Sequence, residues 1–114
     1  MIQNTVISGC AKPVDYSAST TTPTGWTAAS AMAWFNTAAY GNTIYATNDE
    51  VKLTAAFNYA NPDFTPQANS PVLSGASFTN NKVASGFKAV SFRGAVGAAG
   101  TEDGDWWKGW TSFK

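Results

Sequence analysis

Between Gly25 and Gly41 lies the one stretch that commits the backbone to a definite local structure. It runs from Thr27 to Tyr40, with alanine at 28, 29, 31, 33, 38 and 39. Alanine favours a helix because it gives up no side-chain rotamers on entering one. Thr27 brings the hydroxyl of an N-cap, and Gly41 can stop a helix in the left-handed region. Met32, Phe35 and Ala39 recur at i, i+3 and i+7, flanked by Ala31, Trp34 and Ala38. That stripe reads as core rather than as a cofactor box.

Elsewhere the pattern is short and interrupted. Thr5 to Ser8 is largely β-branched and ends at Gly9, as a short strand does. Val14 to Ala18 is a second extended candidate, followed by a hydroxyl-rich loop from Ser19 to Gly25. Val51 to Phe57 alternates and then turns alanine-rich, and Asn58 to Ala68 is loop, broken by Pro62 and Pro66. Pro71 to Leu73 reads as extended, and Phe87 to Phe92 alternates as a strand. Gly94 to Gly100 is small and apolar, suited to a strand lying close against another backbone. Glu102 to Asp105 reads as an acidic turn. The whole predicts a single, mainly β domain over residues 1–114, with one α-helix near residues 27–40.

Composition narrows the function classes. Charged residues make up 12% and aromatics 14%, the reverse of a disordered chain. Seven acids balance seven bases with no basic run, so nucleic acid and anionic membranes have no electrostatic footprint to meet. No apolar run approaches the roughly 20 residues of a membrane span. The start of the chain lacks a basic segment followed by an apolar one, so it does not read as a signal peptide. Cys10 is the only cysteine. It rules out an intrachain disulfide and reads as a small buried apolar residue.

Three stretches, in order, carry a resemblance. Asn4-Thr5-Val6-Ile7-Ser8-Gly9-Cys10 looks like the last rung of a right-handed parallel β-helix. Asn61-Pro62-Asp63-Phe64-Thr65-Pro66, continuing through Asn69-Ser70-Pro71 to Gly75-Ala76-Ser77-Phe78, is similar to a segment that follows such rungs. Phe92-Arg93-Gly94-Ala95 with Gly97, then Asp105-Trp106 and Gly109-Trp110-Thr111 with Phe113, is similar to the ending of the same proteins. The chain thus resembles the C-terminal region of secreted bacterial β-helix surface proteins of the type IX secretion class. Phe92, Val96 and Trp107 depart from the usual Tyr, Phe and Thr, and the upstream rungs are missing. The resemblance implies a parallel β-helix-like terminus, an extracellular or cell-surface location, and an open strand edge that must be covered or paired.

Residues able to carry chemistry are few. The chain has no histidine, which excludes Ser-His-Asp and Cys-His nucleophiles and histidine-based zinc sites. Asp49 and Glu50 are adjacent and would point to opposite faces of a strand, a poor acid/base pair. Glu102, Asp103 and Asp105 could join loop carbonyls around calcium, or simply form a solvated acidic turn. Arg93, the only arginine, would bond backbone carbonyls or pair with an acid such as Asp105. A fragment of a β-helix polysaccharide lyase or hydrolase is one alternative reading, with catalysis through Arg93 or Asp105.

The tryptophans concentrate at the end, at Trp106, Trp107 and Trp110. If this stretch is extended, Trp106 and Trp110 share a face and Trp107 points away as the more exposed ring. Indole gains most with one side buried, so these rings form either a core lid and interface or a glycan platform. The expected binding or interface residues are Trp106, Trp107, Trp110, Phe113 and Trp26. The expected function is a non-enzymatic structural or assembly module. It would self-associate or dock onto another chain through the N-terminal strand edge and the aromatic tail. A carbohydrate-binding module using Trp107 and Trp26 is the alternative. No cofactor is expected beyond calcium.

Overall fold

The computed structural model describes residues 2–17 and 25–109. Trp110 and Phe113 therefore lie outside the described residues, as does Ala18. The first helix, α1, spans Ala28–Phe35. Its start is a reciprocal cap: Thr27 Oγ1 accepts from the Ser30 N–H at 3.1 Å, and Ser30 Oγ accepts from the Thr27 N–H at 2.7 Å. The helix is shorter than predicted, and Thr37 is the reason. Its hydroxyl donates back to the Ala33 carbonyl at 3.3 Å, a bond that competes with helix propagation, and its ψ of 120° leaves the helical region. A 3₁₀ turn over Ala38–Tyr40 follows, closed by Gly41 in the left-handed conformation at φ 63°. Ala31 and Phe35 are the buried positions of α1; Met32 is half-buried and Ala39 exposed.

Two small sheets follow. Strand β1, Val6–Ser8, runs parallel to β2, Thr43–Tyr45, with Ile7 opposite Ile44. Asn42 joins this sheet to the helix. Its Oδ1 accepts from the Thr5 N–H at 3.0 Å, while its Nδ2 donates to the carbonyls of Ile2 at 3.1 Å and Phe35 at 3.0 Å. After a 3₁₀ turn at Asn48–Val51, strand β3, Leu53–Ala55, pairs antiparallel with β4, Asp63–Pro66, around a register irregularity. Asn58 shapes the connection, its Oδ1 accepting from the N–H groups of Ala60 and Asn61. A single helical turn, α2, spans Glu102–Asp105.

This architecture overturns the mainly β, β-helix-like fold. Strands account for 13% and helices for 22% of the described residues, and each sheet among them has only two strands. A β-helix grows by stacking rung on rung, yet among the described residues one three-residue parallel pair is all that stacks. The expected strand at 87–92 lies between Gly86 at φ 80° and Gly94 at φ 113°, which turn the chain out of the extended path at both ends. It is held by separate bonds, Ala76 N–H to the Ser91 carbonyl at 3.0 Å and Arg93 N–H to the Val72 carbonyl at 2.7 Å. Pro71–Leu73 is a 3₁₀ turn rather than extended, capped by Ser70, whose hydroxyl also donates to the Val51 carbonyl. Residues 14–17 and 94–100 form no strand, and Glu102–Asp105 is helical rather than a loose turn. Cys10, expected inside, is exposed.

Arg93 ties the pieces together. Its Nη1 donates to Thr43 Oγ1 on β2 at 3.1 Å, its Nη2 to the Pro71 carbonyl at 3.1 Å, and its Nε to the Ser74 carbonyl at 3.0 Å. The expected carbonyl contacts are there, and Asp105 pairs with Lys108 instead.

The core is thin. Ala31, Phe35, Val51 and Val72, with Pro62 and Pro66, are the buried apolar side chains among the described residues, and Thr65 and Ser70 are buried with them. The accessible area of 7851 Å² exceeds the roughly 6000 Å² expected of a monomer of this mass. The radius of gyration, 16.7 Å, exceeds the roughly 13 Å of a compact domain this long.

Replacing Arg93 tests the tie. Arg93→Ala should lower stability by about 2 kcal/mol in urea unfolding, the scale of charged hydrogen bonds left unmade in a half-buried site. Arg93→Lys should recover only part of it, because an ammonium cannot reach three separated acceptors with a planar fork. A lysine variant as stable as the parent would overturn this role.

Candidate functional site

The described residues enclose a cleft of about 730 Å³, open to solvent. Residues 4–6 and Ser8, on and around β1, form one wall. Val51, Leu53, Phe64 and Pro66, around β3 and β4, contribute a second. Arg93 to Val96 and the pair Trp106 and Trp107 complete it. Apolar groups dominate, and Arg93 supplies its charge with each of its three nitrogens already donating to a protein oxygen.

The turn α2 sets the tryptophans. Thr101 caps it, its Oγ1 accepting from the Gly104 N–H at 3.1 Å and donating to the Ala98 carbonyl at 2.7 Å. Gly104 sits flat against the Ala98 carbonyl, where a Cβ would overlap backbone. The chain leaves α2 through Trp106 in a helical conformation, so the extended stretch that would alternate the two rings does not form. Trp106 Nε1 donates to the Ala95 carbonyl at 2.8 Å, and Trp107 Nε1 to the Gly104 carbonyl at 3.0 Å. Trp107 is the half-buried ring and meets Phe64 edge-on at 6.5 Å; Trp106 is the more exposed one, at 46%. The expected order of exposure is thus reversed, because a helical exit turns both rings toward the cleft. Trp26 lies elsewhere. It packs edge-on against Trp34 of α1 at 6.2 Å, and Trp34 in turn against Tyr40 at 5.8 Å.

The acidic turn is paired with lysines. Lys88 Nζ lies 2.6 Å from Asp103 Oδ1 and 3.4 Å from Glu102 Oε2, while Lys108 Nζ lies 2.7 Å from Asp105 Oδ1. The hydrogen bond from Lys108 holds Asp105 below the usual carboxylate value; Asp105 in return raises Lys108, and Asp103 raises Lys88. Among the described residues, no group of three or more His, Cys, Asp or Glu side chains converges to hold a metal ion. Calcium at Glu102, Asp103 and Asp105 would have to displace both lysines.

The sequence reading anticipated the strand edge and the tryptophans but not their meeting. Val6, Leu53, Phe64 and Val96 come from separate segments of the chain. Phe64, flanked by Pro62 and Pro66, read as part of a loop; only its pairing with Leu53–Ala55 turns it toward Trp107. No helix among the described residues is long and apolar enough to cross a membrane. No family model, curated protein or solved structure matches the chain.

Two outcomes follow from this geometry. Gly104→Ala should release the tryptophans from the cleft, seen as a red shift and increased quenching of fluorescence, while the circular dichroism of α1 is kept. The pH response has a definite sign. Asp105 is depressed on folding, so its contribution is complete above the ordinary carboxylate value near ~4 and lost as pH falls through its lowered one. Lys88 and Lys108 are raised, so theirs holds below the ordinary lysine value near ~10.4 and is lost above it, as pH rises through the raised values. Asp105→Asn should remove part of the acid change in tryptophan fluorescence. Superimposable acid titrations of variant and parent would show that this pair does not hold the rings.

Proposed function

We propose that this chain is a non-enzymatic structural or assembly module, a self-associating or cell-surface subunit that completes its core against another polypeptide. The observation that carries the reading is the mismatch between its buried and its exposed apolar side chains. Ala31, Phe35, Val51 and Val72, with Pro62 and Pro66, are the buried apolar side chains, while Ile2, Trp26, Phe57, Tyr59, Phe64, Phe87 and Trp106 are exposed among the described residues. Phe64 and Trp106 meet at the cleft, where an apolar surface of this kind favours a protein partner. The resemblance to the ends of secreted bacterial β-helix proteins supports the same reading and carries the proposed extracellular or cell-surface location. Zero net charge removes long-range repulsion between copies.

A glycan platform finds less support. Trp26 stands apart from the cleft, and the indole N–H groups that could meet sugar hydroxyls are engaged with the Ala95 and Gly104 carbonyls. Enzymatic readings find no arranged acid/base pair to support them, since Asp105 faces Lys108 and Arg93 is spent on structural oxygens.

Light scattering after size exclusion tests the proposal. The mass should rise above 12.0 kDa across the micromolar range. Phe64→Asp, which places a charge on the rim of the cleft, should shift the particle toward the monomer by at least tenfold in apparent Kd. A chain that stays monomeric at every concentration, and binds no partner through this cleft, would refute it.

A further inference from the structure

We propose that copies of this chain join head to tail by strand addition, the outer edge of β1 in one copy receiving the outer edge of β2 from the next. The inference rests on the assembly reading above and names its partner and mode.

It follows from the alternation of the parallel ladder. Thr43 N–H donates to the Thr5 carbonyl at 2.9 Å, and Gly9 N–H to the Tyr45 carbonyl at 3.2 Å. Residues 5, 7 and 9 therefore turn their backbone groups toward β2, and Val6 and Ser8 turn theirs away. On the other strand, Thr43 and Tyr45 face β1, so Ile44 faces outward. Among the described residues, the backbone N–H and C=O groups of Val6, Ser8 and Ile44 make no further hydrogen bond. The two-stranded sheet thus has two open edges that run in the same direction and are offset by one residue in phase.

These edges fit each other. Setting Ile44 of one copy opposite Ile7 of the next repeats the register already used within the chain. In that register the Ile44 N–H reaches the Val6 carbonyl, and the Ser8 N–H reaches the Ile44 carbonyl. The added strand also extends the β1 wall of the cleft. Neither edge carries the usual deterrents to such pairing: residues 2–11 and 41–48 contain no charged residue and no proline. Because the two edges differ, the contact is heterologous and generates a chain of copies rather than a closed two-fold dimer.

Proline can block each edge without touching the inner ladder, since the N–H groups of Val6 and Ile44 point outward: at 44 it removes the donor to the Val6 carbonyl, and at 6 its ring fills the space an incoming strand needs. Val6→Pro and Ile44→Pro should each be monomeric alone at concentrations where the parent assembles. Mixed in equal amounts they should form a heterodimer near twice 12.0 kDa and stop there, because each retains the edge that the other has lost. Circular dichroism and thermal melting establish that each variant folds; should Val6→Pro unfold, Ser8→Pro blocks the same edge. An Ile44→Pro variant that still dimerises overturns head-to-tail pairing in favour of β1 meeting β1. Assembly that persists in both variants, or a mixture that stays monomeric while the parent assembles, overturns strand addition and leaves the assembly function standing. A parent that is monomeric throughout overturns strand addition, and one that in addition binds no partner through the cleft overturns the assembly function as well.

Discussion

The guanidinium of Arg93 is the interaction on which the rest of this structure depends. Short strands and single helical turns bury too little to hold one another by hydrophobic contact alone. Arg93 supplies what the core lacks, three directed bonds reaching β2, the 3₁₀ turn at Pro71–Leu73 and the segment after it. A planar, permanently charged fork suits that task, because its five donors have fixed directions and little conformational freedom is lost per bond formed. Asn42 plays a smaller version of the same part between β1, β2 and the end of α1.

Polar clamps of this kind explain how so small a core coexists with defined loops. Ser70 both caps a turn and bonds the Val51 carbonyl, and Thr101 both caps α2 and bonds the Ala98 carbonyl. The chain is rich in hydroxyl and amide side chains and poor in charge, and it uses those groups to satisfy backbone positions that a longer ladder would otherwise satisfy. The same economy leaves apolar rings at the surface. The cleft framed by β1, Phe64 and the tryptophans is where the shortage of internal burial becomes an opportunity for a partner.

How legible all this was in the sequence depended on the range of the determining forces. The Thr27 cap, the Gly41 stop, the β1 segment and the loop through Asn58 are local, set by side chains acting on backbone a few residues away, and the residues declare them. The strand expected at Phe87–Phe92 failed because alternation states only that one face could be buried. It does not supply the neighbouring strand. The tryptophans failed in the same way, since their presumed alternation held only for an extended backbone, and the Thr101 cap makes the preceding turn helical.

By itself, then, the sequence determined where this chain caps, turns and stops, that no histidine-based triad and no intrachain disulfide is open to it, and that its polar side chains are amides and hydroxyls more than charges. Only the tertiary structure decided that the strands would be two isolated pairs rather than stacked rungs, that Phe64 would meet Trp107, and that β1 would keep an open edge beside an apolar cleft. The physical reason is the reach of the interactions. Capping and turn bonds close over three or four residues, whereas strand pairing and ring packing join segments tens of residues apart, and which segments meet is settled only when the whole chain competes for the same few partners.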